Sequence, residues 1–262
     1  SSEETIKPFC PADTSSKAIQ VARSILDYKL NRGGVDQDRF FDRSITLISK
    51  SENMTIHNPL GPKNCSNLEQ DLPENLIALT HFGRSGTGLI HSLVDGHPEV
   101  STLPSIYFSQ YFDHSTWETI ISGGWSEMAN RFTAIYEVLF DATSNTPVAS
   151  KSKKLIHKIG QKEGMSKVGD QGDEVLSVDK IVFCKELNRL MGCYEELDAF
   201  IFFKLVHAAF DKAVNDQSNK DLIFYHIHNP DTYAQLNFVR SVPKASWMMM
   251  VREPIQSCES WA

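Results

Sequence analysis

The sequence has no apolar run of about 18 residues, the length that a membrane-spanning helix requires. We therefore expect no membrane-spanning segment in this chain. Basic residues are also fewer than acidic ones, 26 against 33, and the net charge of −7 argues against a nucleic-acid binder or a binder of anionic membranes. Hydrophobic residues at 41% and charged residues at 23% are close to the averages of globular proteins. With 262 residues, the chain is long enough to bury a large core.

The cysteines of the sequence also lack the spacings that are typical of redox or zinc sites. Its five cysteines are Cys10, Cys65, Cys184, Cys193 and Cys258, and no two of them form a C-x-x-C pair. The pattern of cysteines and histidines that makes a zinc site is missing too, so we expect no bound metal. Reduced, partly buried thiols are the expectation, although an odd number leaves a bridge between two of them open. The N-terminus lacks the profile of a secretory signal peptide, and we favour the cytoplasm as compartment.

A glycine-rich segment between two apolar runs is the most informative stretch of the chain. Leu76 to Thr80 is predicted to be a buried strand, and the apolar run from Leu89 to Val94 has helical spacing. Between them lies Gly83-Arg84-Ser85-Gly86-Thr87-Gly88. A strand, a glycine loop and a helix N-terminus together aim backbone N–H groups and a positive helix end at one anion. Arg84 adds charge, Ser85 and Thr87 add hydroxyl donors, and a phosphate is the expected ligand; a structural turn is the alternative.

The loop differs from that of nucleotide triphosphatases. Their pattern, G-x-x-x-x-G-K-[ST], uses the lysine to reach the outer phosphates and the final hydroxyl to hold magnesium. Here Gly88 is followed by Leu89 and Ile90, so both groups are missing. The loop therefore favours a phosphate-bearing donor other than ATP.

A second strand–turn–helix pattern lies near the end of the chain. The apolar run 245–251 precedes Arg252-Glu253-Pro254, and Pro254 suits the first turn of a helix. Arg252 would then stand at the carboxyl edge of its strand, where open α/β sheets bind ligands. Ser260 follows Arg252 by eight residues, about two helical turns, and can return toward the same edge.

Together, the two patterns resemble those of sulfotransferases that use PAPS (3′-phosphoadenosine 5′-phosphosulfate). In that family, [RK]-S-G-T-[TS] holds the 5′-phosphosulfate, and R-x-P with a serine eight residues after the arginine binds the 3′-phosphate. The matching stretches here are Arg84 to Gly88 and Arg252 to Ser260, and 95–100 is similar to the D-x-H-P-[DE]-V stretch of carbohydrate and tyrosylprotein members. The resemblance implies PAPS as co-substrate, bound by the residues Gly83, Arg84, Ser85, Gly86, Thr87, Gly88, Arg252 and Ser260. Gly88 stands where the family has a hydroxyl residue.

Two histidines extend the resemblance to catalysis. A strand-like run from Asp221 ends in His226-Ile227-His228-Asn229-Pro230, and residues two apart in a strand share one face. In cytosolic-type members a strand ends in K-[ST]-H-x-P, whose histidine takes the proton from the acceptor hydroxyl. His228 matches that base, and His226 stands at the position of the lysine. A near-neutral imidazole is a suitable general base; two strand-end histidines with structural hydrogen bonds are the alternative.

The resemblance implies transfer of a sulfuryl group to a hydroxyl, less readily to an amine, of a carbohydrate or other small acceptor. His228 would be the base, with Arg84 and His226 as the other catalytic residues, and no metal is needed. Two other functions stay open. One is a P-loop nucleotide-binding protein of the kinase or NTPase type; the other is a catalytically silent family member that acts as a binding module. The resemblance also implies the Golgi lumen as the alternative compartment, since many relatives are Golgi proteins with an N-terminal membrane anchor.

Alternating strands and helices predict an α/β fold, a three-layer sandwich with a central parallel sheet. With the resemblance, this becomes a P-loop NTPase-like sulfotransferase fold. We expect an N-terminal helical and irregular extension at 1–72, including an amphipathic helix at 15–31, and an α/β domain at 73–262 that is incomplete at its C-terminus. The aromatic-rich stretch 105–114 is expected to pack in the core, with an aromatic wall of the acceptor pocket as the alternative.

Overall fold

A computed structural model describes residues 54–63, 65, 72–81, 85–104, 108, 110–143, 171–216, 218–227 and 232–259. In chain order, its strands are β1 (Ile56–His57), β2 (Asn75–His81), β3 (Val100–Thr102), β4 (Glu196–Leu197), β5 (Leu222–His226) and β6 (Ser246–Met250). Its α-helices are α1 (Thr87–Val94), α2 (His114–Ile121), α3 (Met128–Ile135), α4 (Lys180–Met191), α5 (Ala199–Ala213), α6 (Thr232–Ser241) and α7 (Pro254–Glu259). The amphipathic helix expected at 15–31 lies outside the described residues.

Four of these strands form a parallel sheet in the order β3–β5–β2–β6. This confirms the α/β architecture. Strand β2 is central: it pairs with β5 on one side and with β6 on the other. The three strands therefore run side by side in one direction, and their carboxyl ends lie at the same edge of the sheet.

The two crossover helices pack on opposite faces of this sheet. The connection from β2 through α1 to β3 runs one way along the sheet, and that from β5 through α6 to β6 runs the other way. Right-handed crossovers in opposite directions must cover opposite faces. Neighbouring residues of β5 confirm this, because the Phe224 ring stacks on His91 of α1 whereas the Tyr225 ring packs against Phe238 of α6.

The core of the α6 face is mostly aromatic. The Phe108 ring is stacked on Phe203 of α5 with 5.5 Å between ring centroids, and Tyr111 and Phe112 also contact Phe203. Buried rings of this size contribute much of the apolar area that a core removes from water. The expectation that stretch 105–114 packs in the core is thus confirmed for Phe108, Tyr111 and Phe112.

Two expectations about the connecting segments are wrong. The prolines and the glycine of residues 51–75 predict an irregular link, but β1 pairs antiparallel with β4 and the Lys63 amide donates to the Gly192 carbonyl. The sequence also predicts a helix over 194–213, but α5 begins at Ala199: residues 196–197 pair with β1, and the Asp198 carboxylate caps the helix by accepting from the Ile201 amide.

The expectation of reduced thiols is also wrong, because Cys65 and Cys193 form a disulfide. Their Cα atoms are 5.7 Å apart, a normal spacing for a bridge, and 128 residues separate them in the chain. The antiparallel pairing of β1 with β4 brings the two cysteines together. Spacing along the sequence could not indicate this pairing.

A buried polar network lies between β3 and α5. The Ser101 hydroxyl is 3.0 Å from Nδ1 of His207, and it also hydrogen-bonds the Asp211 carboxyl. Burial raises the pKa of Asp211 to about 7, although the Ser101 hydrogen bond and the charge of Lys220 oppose the shift. Burial also lowers the pKa of His207 to about 3. The network is therefore most stable with both groups uncharged.

We predict that replacing Cys65 and Cys193 with serine destabilises the protein by about 2–5 kcal/mol, because the bridge closes a long loop in the unfolded chain. Urea unfolding measures the loss, and peptide mapping without reductant should recover a linked Cys65–Cys193 pair. Cys184, a free cysteine, gives the control variant Cys184→Ser. Alkylation of both Cys65 and Cys193 in the unreduced native protein would contradict the bridge.

We predict that Asp211→Asn becomes progressively more stable relative to the wild type as the pH rises from about 4 to 7. The raised pKa means that the folded wild type loses stability as Asp211 ionises, and this loss reaches at most about 4 kcal/mol. Asparagine cannot ionise, so it removes the loss. Urea unfolding at several pH values measures the difference, with the exposed Asp173→Asn as control. The same pH dependence in both variants would refute the assignment.

Candidate functional site

The carboxyl edge of the sheet brings three chain segments together. His226 at the end of β5 pairs with Leu79 of β2, and Met250 at the end of β6 pairs with His81 of β2. The loops that follow all three strands therefore leave from one edge. Open α/β sheets bind ligands at such an edge.

Only some of the expected site residues belong to the described part of the chain. Ser85, Gly86, Thr87, Gly88, His226 and Arg252 do, and they all lie on segments at this edge or just beyond it. Gly83, Arg84, His228 and Ser260 lie outside the described residues. The site is therefore built here from the first group.

The glycine loop turns into α1 through a left-handed residue. Gly86 has φ 90° and ψ 16°, a conformation that strongly favours glycine, and the helix begins at Thr87. The Gly86 carbonyl accepts from the Leu89 and Ile90 amides, which closes the first turn. Gly86, at the N-cap position, has no side chain that could cap this helix end. The first N–H groups of an α-helix have no acceptor within the helix, so an anion can take the place of a cap.

The hydroxyl of Ser85 lies at this uncapped helix end. Ser85 is 9% exposed, and its Oγ atom is buried without a hydrogen-bond partner. An unsatisfied buried hydroxyl costs free energy that a hydrogen bond would recover. Thr87 next to it is also buried, with 7% of its surface exposed. The loop therefore presents an unpartnered hydroxyl next to the first amides of the helix, which have no acceptor within the helix itself.

The end of β6 lies against the same loop. A Cβ atom added to Gly86 would be 3.9 Å from the terminal methyl of Met250, so the two segments are in contact range. Arg252 follows two residues later with an exposed side chain, and its Nε atom is 3.4 Å from Oε1 of Gln256. The Arg252 guanidinium thus belongs to a segment that starts beside the loop.

Two histidines lie below the loop on the α1 face of the sheet. His226, the last residue of β5, is 3% exposed. Its ring centroid is 6.1 Å from that of His91 on α1, with the rings tilted by 45°. Burial lowers the pKa of His91, whereas the charge of Asp95 and a backbone hydrogen bond with Leu103 oppose the shift.

His91 was not among the residues expected from the sequence. The available signal was its position four residues after Thr87, which places both side chains on one face of the helix. The apolar pattern of α1 indicated other residues of the helix instead. Two of these, Leu89 and Leu93, are 65% and 71% exposed, so they do not form the packed face of the helix.

A cavity of about 230 Å³ lies among different residues. Its aromatic wall includes Tyr111, Phe112, Trp117 and Phe200, and Arg240 supplies a cationic group. Among the described residues expected to bind the donor, Ser85–Gly88 and Arg252, none lines it. The cavity is thus a feature separate from the loop at the sheet edge.

Within the described ranges, no three His, Cys, Asp or Glu side chains gather into a group that could hold a metal ion. None of the helices in those ranges is long and apolar enough to cross a membrane.

Comparison of the chain with protein-family models, with curated proteins and with solved structures finds no match. The site's own geometry and the resemblance of its two loops are therefore the basis for a function.

Proposed function

We propose that this chain is a PAPS-dependent sulfotransferase with a P-loop NTPase-like sulfotransferase fold. The observation that carries the proposal is the buried, unpartnered Ser85 hydroxyl at the uncapped start of α1. A helix end of this kind suits an anion that accepts hydrogen bonds from the hydroxyl and the amides together. Gly86 and Met250 are within contact range, so the segment of Arg252 begins beside the loop. One ligand with two phosphate groups could therefore bind the loop and this segment together.

Two different groups of residues would bind the two ends of the PAPS molecule. Arg84, Ser85, Thr87 and the amides at Gly86 and Gly88 would hold the 5′-phosphosulfate. Arg252 and Ser260 would hold the 3′-phosphate, for which a guanidinium offers paired N–H donors. These groups are all cations, hydroxyls or amides, which fits a donor of high negative charge. Because the net charge of the chain is −7, an anionic ligand needs such cations, hydroxyls and amides close to it in order to bind.

The reaction transfers a sulfuryl group: the acceptor oxygen bonds to sulfur, the bond from sulfur to the 5′-phosphate oxygen breaks, and 3′,5′-ADP leaves with that electron pair. His228 would take the proton from the acceptor hydroxyl. Arg84 and the loop amides would stabilise the negative charge that develops on the 5′-phosphate oxygen. The acceptor is a hydroxyl of a carbohydrate or another small molecule, with an amine as the less favoured acceptor.

The disulfide changes the compartment that we propose. Bridges persist in oxidising compartments and are rare in the cytosol. Because Cys65 and Cys193 are joined, we infer that the chain functions in an oxidising lumen such as that of the Golgi, rather than in the cytoplasm. Free thiols at both positions in protein isolated from its own cells would contradict this inference.

We predict that Ser85→Ala and Arg252→Ala each weaken binding of 3′,5′-ADP by about tenfold or more, because each removes a hydrogen bond to a charged group. Calorimetric titration measures the affinity. Ser85→Ala should leave the thermal unfolding temperature unchanged or raise it, since the hydroxyl that it removes has no partner in the free protein.

Two exposed positions give matched controls, Ser122→Ala on the turn after α2 and Arg189→Ala on α4. If Arg252→Ala binds 3′,5′-ADP as tightly as the wild type, the 3′-phosphate assignment is wrong. Tighter binding of ATP with magnesium than of 3′,5′-ADP would instead support a nucleotide-binding protein of the kinase or NTPase type.

We predict that His228→Ala lowers the rate of sulfate transfer by about 10²–10⁴-fold, the usual contribution of a general base, and leaves the affinity for 3′,5′-ADP nearly intact. Transfer of radiolabelled sulfate from PAPS to a panel of carbohydrates and small alcohols measures the rate. Unchanged transfer would mean that another group is the base. Tight donor binding by the wild type without transfer to any acceptor would favour a silent binding module.

A further inference from the structure

A buried imidazole, His226, and a half-buried one, His91, lie close together below the phosphate loop. His91 projects from α1 and His226 ends β5, with 6.1 Å between their ring centroids. The Nε2 atom of His91 is buried and has no hydrogen-bond partner. Its ring is also stacked on Phe224, 6.1 Å between centroids, which fixes it on the sheet. His91 therefore has a proton-binding nitrogen that the free protein leaves unused.

The pair lies one helical turn from the loop. Thr87 and His91 are four residues apart on α1, so their side chains follow one another along a single face. The rise over four residues is about 6 Å. A phosphate at the start of α1 would thus be within electrostatic range of both rings.

Groups on three neighbouring elements face His91. On α1, Asp95 follows His91 by one turn, and its charge favours the protonated ring. On β5, Phe224 contributes an apolar ring, and after β3 the backbone of Leu103 forms a hydrogen bond with His91. His81 ends the neighbouring strand β2, and Arg252 and Glu253 follow β6 with exposed side chains.

Burial of His91 disfavours a charged ring and lowers its pKa, so the free site favours a neutral His91. A dianion bound at the start of α1 acts in the opposite direction, because its negative charge favours one imidazolium. A second imidazolium about 6 Å away would be strongly repelled, so the pair accepts only one proton.

We propose that His91 and His226 act as one proton-binding pair beneath the Ser85–Gly88 loop, and that a phosphate-bearing anion bound at this loop places one proton on the pair. The proposal rests on the proposed function only in that the loop binds such an anion. His91 is therefore a positioning residue, because it acts on the charge of the ligand through His226 and the helix end. Donor binding then takes up a proton and is tighter at acid pH.

Calorimetric titration with 3′,5′-ADP in buffers of different ionisation enthalpy measures proton uptake directly. We expect uptake of roughly one proton above that of the ligand's own phosphates, and a dissociation constant that rises about tenfold per pH unit while the pair titrates. The double variant His91→Gln/His226→Gln should remove most of this uptake and flatten the pH dependence. The control is His57→Gln, an exposed histidine on β1.

NMR titration of the imidazole protons tests the pair without a ligand. In the wild type, we expect His226 to titrate in a curve that depends on His91, and in His91→Gln we expect its pKa to rise because a competing ring is gone. Unchanged titration of His226 in His91→Gln, or proton uptake by the double variant equal to that of the wild type, would overturn the proposal. Coupled titration in a protein that binds no 3′,5′-ADP would leave the pair standing and refute the proposed function.

Discussion

The parallel pairing of β2 with both β5 and β6 is the constraint on which the candidate site depends. It holds the ends of three strands in register, so that His226 is level with Leu79 and Met250 is level with His81. Residues that are 140 or more positions apart in the chain thereby meet at one edge. Without this register, the glycine loop before α1 and the segment of Arg252 would be two unrelated turns. With it, they are neighbours that can share one ligand.

The two faces of the sheet are lined by different kinds of side chain. The α6 face is packed with aromatic rings, among them Phe108, Phe203 and Tyr225, and this packing fixes β5 in place. The α1 face carries the polar groups of the candidate site, namely Ser85, His91 and His226. Because Phe224 and Tyr225 point to opposite faces, one short strand links the rigid core to the polar side. The buried polar atoms on the α1 face therefore lie against a sheet that the aromatic core holds in place.

Much of the fold could be predicted from local sequence. The strands at 75–81, 222–226 and 246–250 and the helices at 180–191 and 232–241 all match apolar runs or periodic patterns with clear turn signals. The start of α1 also followed from its glycines. In each case, the signal is local: the residues that form the element are also those that mark its ends.

Features that depend on distant pairing could not be predicted in this way. Strand β1 is two residues long and exists because β4 lies beside it, and the Cys65–Cys193 bridge follows from the same contact. The strand β6 shows a related limit. Its apolar run predicted a strand, and within the described part of the chain this strand is the sheet's edge, where Trp247, Met248 and Met249 are 41–64% exposed. His91 was missed because only the packing of α1 against β5 brings it to His226.

The central claim is that the loops after β2 and β6 form one anion site with two parts. Amide NMR of the labelled protein during titration with 3′,5′-ADP tests this most directly. The account predicts that the amides of Ser85–Gly88 and those of Val251–Glu253 shift together, with the same apparent affinity. Shifts confined to one of the two segments, or saturation of the two at different concentrations, would contradict it.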